Sequence, residues 1–303
     1  MSDAHEMNQP VTARAIDRAA LQRLQRRQAL AAEPPWLHGE VARRMAERLQ
    51  IMKRVPSVVI DWWSNAGASG ELLRAAYPKA RLVRVEPTEA IARPPLVWWQ
   101  SVLRRAALSI DAAVVEPQAA QLVWANMVLH QHADPGSLIA QWRRALSMEG
   151  FVMFSTVGPD TLKTLREVYR EAGWGVPHAP FVDMHDLGDM LVQAGFADPV
   201  MDQEMLRLTW ATPDALLTEL RGLGINADPG RCAGLRTPRW RGRLEAALAE
   251  RAGADGRIAI EFEIVYGHAF NPPPRVAVAG ETRLSAADLQ RMARTGRSRG
   301  SLG

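Results

Sequence analysis

The stretch Ser57-Val-Val-Ile-Asp-Trp-Trp-Ser-Asn-Ala-Gly-Ala-Ser-Gly70 decides how the chain is read. Val58, Val59 and Ile60 form a short apolar run closed by Asp61, the pattern of a parallel strand buried on both faces. A loop follows. From Gly70, Glu-Leu-Leu-Arg-Ala-Ala-Tyr77 carries helix formers with apolar residues three and four apart, and Pro78 stops it. Arg81-Leu-Val-Arg-Val85 predicts a second strand, which ends in Glu86-Pro87. Strand, loop, helix and strand, with an acid closing the second strand, is the plan of a doubly wound α/β domain that takes an adenosine-containing ligand. The acid would hold ribose hydroxyls. A solvated strand-end Glu gives the same letters.

Working outward, residues 1–12 read as disordered, and a polar helix with Leu21, Leu24 and Leu30 precedes the break at Pro34-Pro35. A second helix over residues 37–52 places Val41, Met45 and Leu49 on one stripe. Both belong to an N-terminal helical segment, 13–55. Downstream, residues 121–126 predict a strand, 135–146 a helix capped by Asp134, and 151–156 another strand. Residues 158–166 open a long helix in which Asp160 can cap. Pro94-Pro-Leu-Val-Trp-Trp99 suits a strand edge of open register. The expected division is a core over 56–172, a C-terminal region over 173–272 that completes the sheet and covers the cleft, and a basic, disordered tail over 273–303.

At 303 residues, 47% of them hydrophobic, the chain can bury a large core. Cys232 is its one cysteine, which excludes an internal disulfide and a cysteine-built zinc site and suits a reducing cytoplasm. No apolar run reaches membrane-span length, and the first residues do not resemble a signal peptide, so a soluble cytoplasmic protein is expected. Basic residues outnumber acidic ones 37 to 33. Arginines gather in residues 14–27 and in the tail. They read as solvated surface or as a footprint for an acidic partner, and only weakly as a nucleic-acid site.

Further segments carry a resemblance. Trp142-Arg-Arg-Ala-Leu146 with Glu149-Gly150, and Phe154-Ser-Thr-Val-Gly-Pro-Asp-Thr-Leu-Lys-Thr-Leu-Arg166, resemble class I S-adenosylmethionine-dependent methyltransferases, specifically the biotin-pathway malonyl-carrier-protein O-methyltransferases. Pro177-His178, Asp183 to Gly188, Ala194-Gly195-Phe196, Leu220-Arg-Gly-Leu-Gly224 and Ile264-Val-Tyr-Gly-His268 fit the same group. Leu24-Gln-Arg-Arg-Gln28 and Trp36-Leu-His-Gly-Glu-Val-Ala-Arg-Arg-Met45 are similar to complex I assembly factors built on the same scaffold. The resemblance implies a Rossmann-like seven-stranded methyltransferase sheet with N-terminal helices and a C-terminal α+β cap, S-adenosylmethionine as cofactor, and an acyl carrier protein as partner. The alternative is a methyltransferase-like protein that binds or assembles without catalysis.

In that family the first strand ends Asp-x-Gly-x-Gly-x-Gly, and an ungapped match places Asp61, Trp63, Asn65 and Gly67 on those positions. Two glycines are lost, and a Trp63 ring aimed at the site would fill the methionine pocket unless it turned inward or the loop shifted. The resemblance assigns Asp61, Asn65, Gly67, Glu86 and Asn126 to the cofactor, and His178 and Arg166 to the substrate. Arg143 and Arg144 join Arg166 as candidates for meeting an acidic carrier. Gln121 replaces an acid the family usually has there. His130 and His132 form a His-x-His pair more readily read as surface than as metal ligands. Ser155 lacks a Gly-x-Ser-x-Gly elbow, which leaves hydrolase chemistry without support. No catalytic residue or metal is assigned.

Overall fold

The computed structural model describes residues 15–31, 33–88, 91, 109–224, 226–232 and 234–273. The readings for residues 1–12, 94–99 and almost all of the tail lie outside them. Seven strands form one sheet in the order β3-β2-β1-β4-β5-β7-β6: β1 Val58–Trp62, β2 Arg81–Glu86, β3 Ser109–Asp111, β4 Ala120–Ala125, β5 Leu146–Val157, β6 Ala197–Trp210 and β7 Ile258–Phe270. The first five run parallel, and β7 is antiparallel to both neighbours, β5 and β6.

Strand periodicity explains why the central strands read as unbroken apolar runs. Val59, Leu122, Trp124, Phe151 and Met153 point into one core, whereas Ile60, Val123, Ala125, Val152 and Phe154 point into the other. Alternate residues serve opposite faces, and both faces are covered. Gln121 has a structural task here: its Oε1 accepts hydrogen bonds from Ser57 N, Ser57 Oγ and Val58 N, at 3.2, 2.9 and 2.9 Å, and so pins the start of β1 to β4.

The N-terminal helices are α1, Arg18–Leu30, capped by Asp17 on Ala20 N, and α2, Trp36–Arg48, continued by a 3₁₀ turn to Ile51. Val41, Met45 and Leu49 form the expected buried stripe. The loop contains a single turn, α3 Ser64–Gly67, before α4, Gly70–Ala76. Beyond β4 lie α5 Pro135–Ala145, α6 Lys163–Glu171, α7 Met184–Gln193, α8 Pro213–Leu223 and α9 Pro238–Ala249.

Asp134 caps α5 through Ser137 N, but Asp160 does not cap α6. That helix begins two residues later than Asp160 allows, after a left-handed Leu162 (φ 60°): Asp160 N donates to Glu263 Oε2 of β7 at 2.7 Å, and its carboxylate pairs with Lys163 Nζ at 2.8 Å. The β7 clasp overrides the local capping signal. Among the described residues no helix is long and apolar enough to cross a membrane, and no group of three His, Cys, Asp or Glu side chains is placed to hold a metal ion.

Gly267 of β7 lies opposite Phe154, and a Cβ there would press into the Phe154 ring and within 2.9 Å of Met201 Sδ. Gly267→Ala is therefore expected to destabilise the fold by about 1–3 kcal/mol through overpacking. Urea unfolding checks this, with a lower midpoint at unchanged slope.

Candidate functional site at the carboxyl ends of the strands

Residue 63 adopts left-handed backbone, a conformation glycine takes without steric cost. Trp63 sits at φ 57°, ψ 50°, its N–H donating to Val85 O at 2.6 Å, and Ala68 closes the turn at φ 55°. A non-glycine residue in that region costs roughly 1–2 kcal/mol, so the substitution is strained as well as bulky. The ring turns inward, into the core between β1 and α5, with its centroid 6.3 Å from that of His132. It thus stands between a narrow crevice beside Glu86 and a wider cleft of about 650 Å³ lined by Pro87, Asp111 and Ser137.

Glu86 stands where the sequence puts it, at the end of β2, but it is almost fully buried and occupied. Its Oε1 accepts from Ser64 Oγ at 2.8 Å and from Asn65 N at 3.0 Å, which makes it a borrowed N-terminal cap for the turn Ser64–Gly67. Arg84 locks the arrangement, donating to Ser64 Oγ at 2.8 Å and to Asn65 Oδ1 at 3.0 Å. The crevice beside Glu86, lined by Trp63, Asn65 and, from α1, Gln25 and Gln28, holds only about 10 Å³. Burial pushes the Glu86 carboxyl up to about 7.

At the other end of the loop, Asn126 Nδ2 donates to Gly67 O at 2.7 Å and to His38 O at 2.8 Å, while its Oδ1 accepts from Ser155 Oγ at 2.6 Å. Ser155 is therefore a strut, also accepting from Met127 N at 3.0 Å. A Cβ on Gly67 would meet Ser69 Oγ at 3.2 Å, with Asn126 and Asp61 at 3.8 Å, so the loop packs tightly here. Asp61 is 1% exposed, and neither carboxylate oxygen has a hydrogen-bond partner among the described residues. Burial first, and then the nearby Glu86, push its carboxyl up to about 8.

Beyond Asn126 opens a chamber of about 290 Å³, walled by the ends of β4 and β5 and by α1, α8 and α9. Its lining is mainly apolar, with Leu24, Met127, Leu165, Leu217 and Leu244 among the contributors. His38, His130, Gln131 and His178 interrupt it. His178 stacks on Phe181 at 4.5 Å, and Phe181 meets the edge of His130 at 6.2 Å. Thus His178 lies in a ligand-sized space. Arg166 is not on its wall; the guanidinium bonds Pro159 O at 2.5 Å and Thr161 O at 3.2 Å. His38 and Gln131 carry no motif of their own and escape sequence reasoning.

The residues present meet the two ends of S-adenosylmethionine differently. Asp61, buried and without a hydrogen-bond partner among the described residues, is the group that would meet an amino-acid ammonium once the loop admitted one. On the Glu86 side the crevice is too narrow for a ligand as it stands, with Oε1 engaged and Trp63 and α1 closing it, whereas the cleft beyond Trp63, beside Pro87 and Asp111, is open. Both raised acids retain protons in the folded chain after the unfolded chain has released them. Between the ordinary carboxylate range and about pH 8 the folded state therefore binds more protons, and stability falls as pH rises. Asp61→Asn is expected to flatten the decline in melting temperature between about pH 6 and pH 9, measured by calorimetry against the unaltered chain.

Comparison with known proteins is consistent with this geometry. No protein-family model matches the chain. It is 36% identical over 250 residues to the malonyl-[acyl-carrier protein] O-methyltransferase of Laribacter hongkongensis, covering 79% of this chain and 84% of the relative. It is 36% identical over 269 residues to the enzyme of the same name from Halorhodospira halophila, covering 85% and 90%. Among solved structures, a Bacillus halodurans protein assigned as a methyltransferase superposes with a TM-score of 0.50 at 14% identity, over 76% of this chain and 99% of that one. The sheet order, the loop between β1 and α4 and this extent of identity have one conclusion: the chain belongs to the malonyl-[acyl-carrier protein] O-methyltransferase family.

Proposed function

We propose that the chain transfers a methyl group to the free carboxyl of a malonyl thioester carried on an acyl carrier protein, as a step towards biotin. The observation that carries this reading is the chamber: an apolar, capped space of about 290 Å³ that begins at Met127, directly after the Asn126 that braces the cofactor loop. An acyl group lodged there lies next to the loop's amino-acid end. Carboxylate methylation needs no proton abstraction, so alignment of the nucleophile is the main demand on the protein.

The rim suits an acidic carrier. Arg143 and Arg144 bond the carbonyls of Gly195 and Val115 and do not line the chamber. Arg221 does line it, while Arg236, Arg239 and Arg243 lie on or just before α9, the helix that supplies Leu244. All four are exposed, and no acid among the described residues lies within ion-pair distance of any of them. Arg236 and Arg243 rest over the rings of Trp240 and Trp174 at 4.6 and 5.4 Å. Arg236 also donates to Trp174 O at 3.0 Å, so Arg221, Arg239 and Arg243 are the guanidinium groups best placed to steer and orient an acidic partner.

A second reading, binding or assembly without catalysis, has one observation behind it: the Glu86 carboxylate serves the loop itself. The test is incubation of the purified chain with S-adenosylmethionine and malonyl carrier protein, followed by mass spectrometry of the carrier. Gain of one methyl on the malonyl group is expected. A folded protein that leaves the carrier unmodified at high cofactor concentration favours the second reading.

A further inference from the structure

Three side chains on the chamber wall carry buried polar atoms that no group among the described residues satisfies: His38 Nε2, His178 Nε2, and both Nε2 and Oε1 of Gln131. Such atoms are costly unless a ligand or water meets them, and their shared location in a ligand-sized space is the informative point.

The two histidines can be assigned a role atom by atom. His38 Nδ1 lies 2.7 Å from Ala66 O, and His178 Nδ1 lies 2.8 Å from Ala179 O. A carbonyl oxygen only accepts, so each Nδ1 carries the hydrogen, and in the neutral ring each Nε2 presents a lone pair to the chamber. Neutrality follows from burial, which depresses both rings, His38 to about 4. Two lone pairs facing inward repel a carboxylate and welcome N–H or O–H donors. Gln131 can do either.

We infer that His38 Nε2 and His178 Nε2 accept hydrogen bonds from amide N–H groups of a slender, uncharged chain, and that this chain is the amide-bearing pantetheine arm on which a carrier protein presents its thioester. The identity of the arm rests on the proposed function; the demand for donor groups does not. The acyl carboxylate then lies away from these two rings, towards the loop.

The test is ligand-observed NMR titration of the full-length chain with S-acetylpantetheine, which has the amides and no carboxylate, and with malonate, which has the reverse. S-acetylpantetheine should bind and malonate should not displace it. His178→Phe keeps an aromatic ring against Phe181 but removes the acceptor, and should weaken binding about three- to tenfold. His178→Gln, which restores an acceptor, should recover most of it.

His178 is on a half-buried loop, and an unchanged melting curve for each variant separates lost contact from lost fold. Malonate displacing S-acetylpantetheine, or His178→Phe binding it as well as the unaltered chain, overturns the inference. Because no cofactor is present, binding without methyl transfer in the carrier assay would leave the inference standing and count against the proposed reaction alone.

Discussion

One carboxylate oxygen, Glu86 Oε1, ties the loop after β1 to the end of β2, and the state of the cofactor cleft depends on it. In holding Ser64 Oγ and Asn65 N it caps a one-turn helix that would otherwise have no side-chain cap of its own. Arg84 screens the charge and adds two bonds to the same turn. The network gives Glu86 Oε1 protein partners at the carboxyl end of β2. Its strength follows from burial, since hydrogen bonds to an acid screened from water are worth more than exposed ones.

The substitution at residue 63 and the network at Glu86 are two parts of one rearrangement. A tryptophan in left-handed backbone needs compensation, and its ring finds it by packing into the core beside His132. In that orientation the ring parts a crevice of about 10 Å³ beside Glu86 from a cleft of about 650 Å³ lined by Pro87 and Asp111, while the Asp61 oxygens have no hydrogen-bond partner among the described residues. The substrate side is not narrowed. The chamber past Asn126 is mainly apolar and has the exposed Arg221 on its wall, as the proposed acyl-carrier recognition requires.

Much of the fold could be read from the residues because the central strands alternate between two cores, and a run such as Val58 to Ile60 has few other homes. Asp134 as a cap and the Val41, Met45, Leu49 stripe follow local rules that nothing overrides. The start of α6 was not legible, because Glu263, a hundred residues away, takes the backbone of Asp160. The site divides in the same way. Glu86, Gly67 and Asn126 have a sequence address, whereas their partners Arg84, Ser64 and His38 do not. Arg166 looks like a substrate cation and is spent on its own turn; Gln121 looks like a lost acid and is a strand clamp. Long-range partners of polar side chains are invisible to periodicity.

The cofactor site turns on whether Trp63 and Asn65 obstruct the cleft beside Glu86. Calorimetric titration of S-adenosylhomocysteine into the unaltered chain and into the double variant Trp63→Gly, Asn65→Gly tests it most directly. The account predicts that the double variant binds at least about tenfold more tightly, equivalent to about 1.4 kcal/mol. Equal, tight binding by both proteins would contradict it.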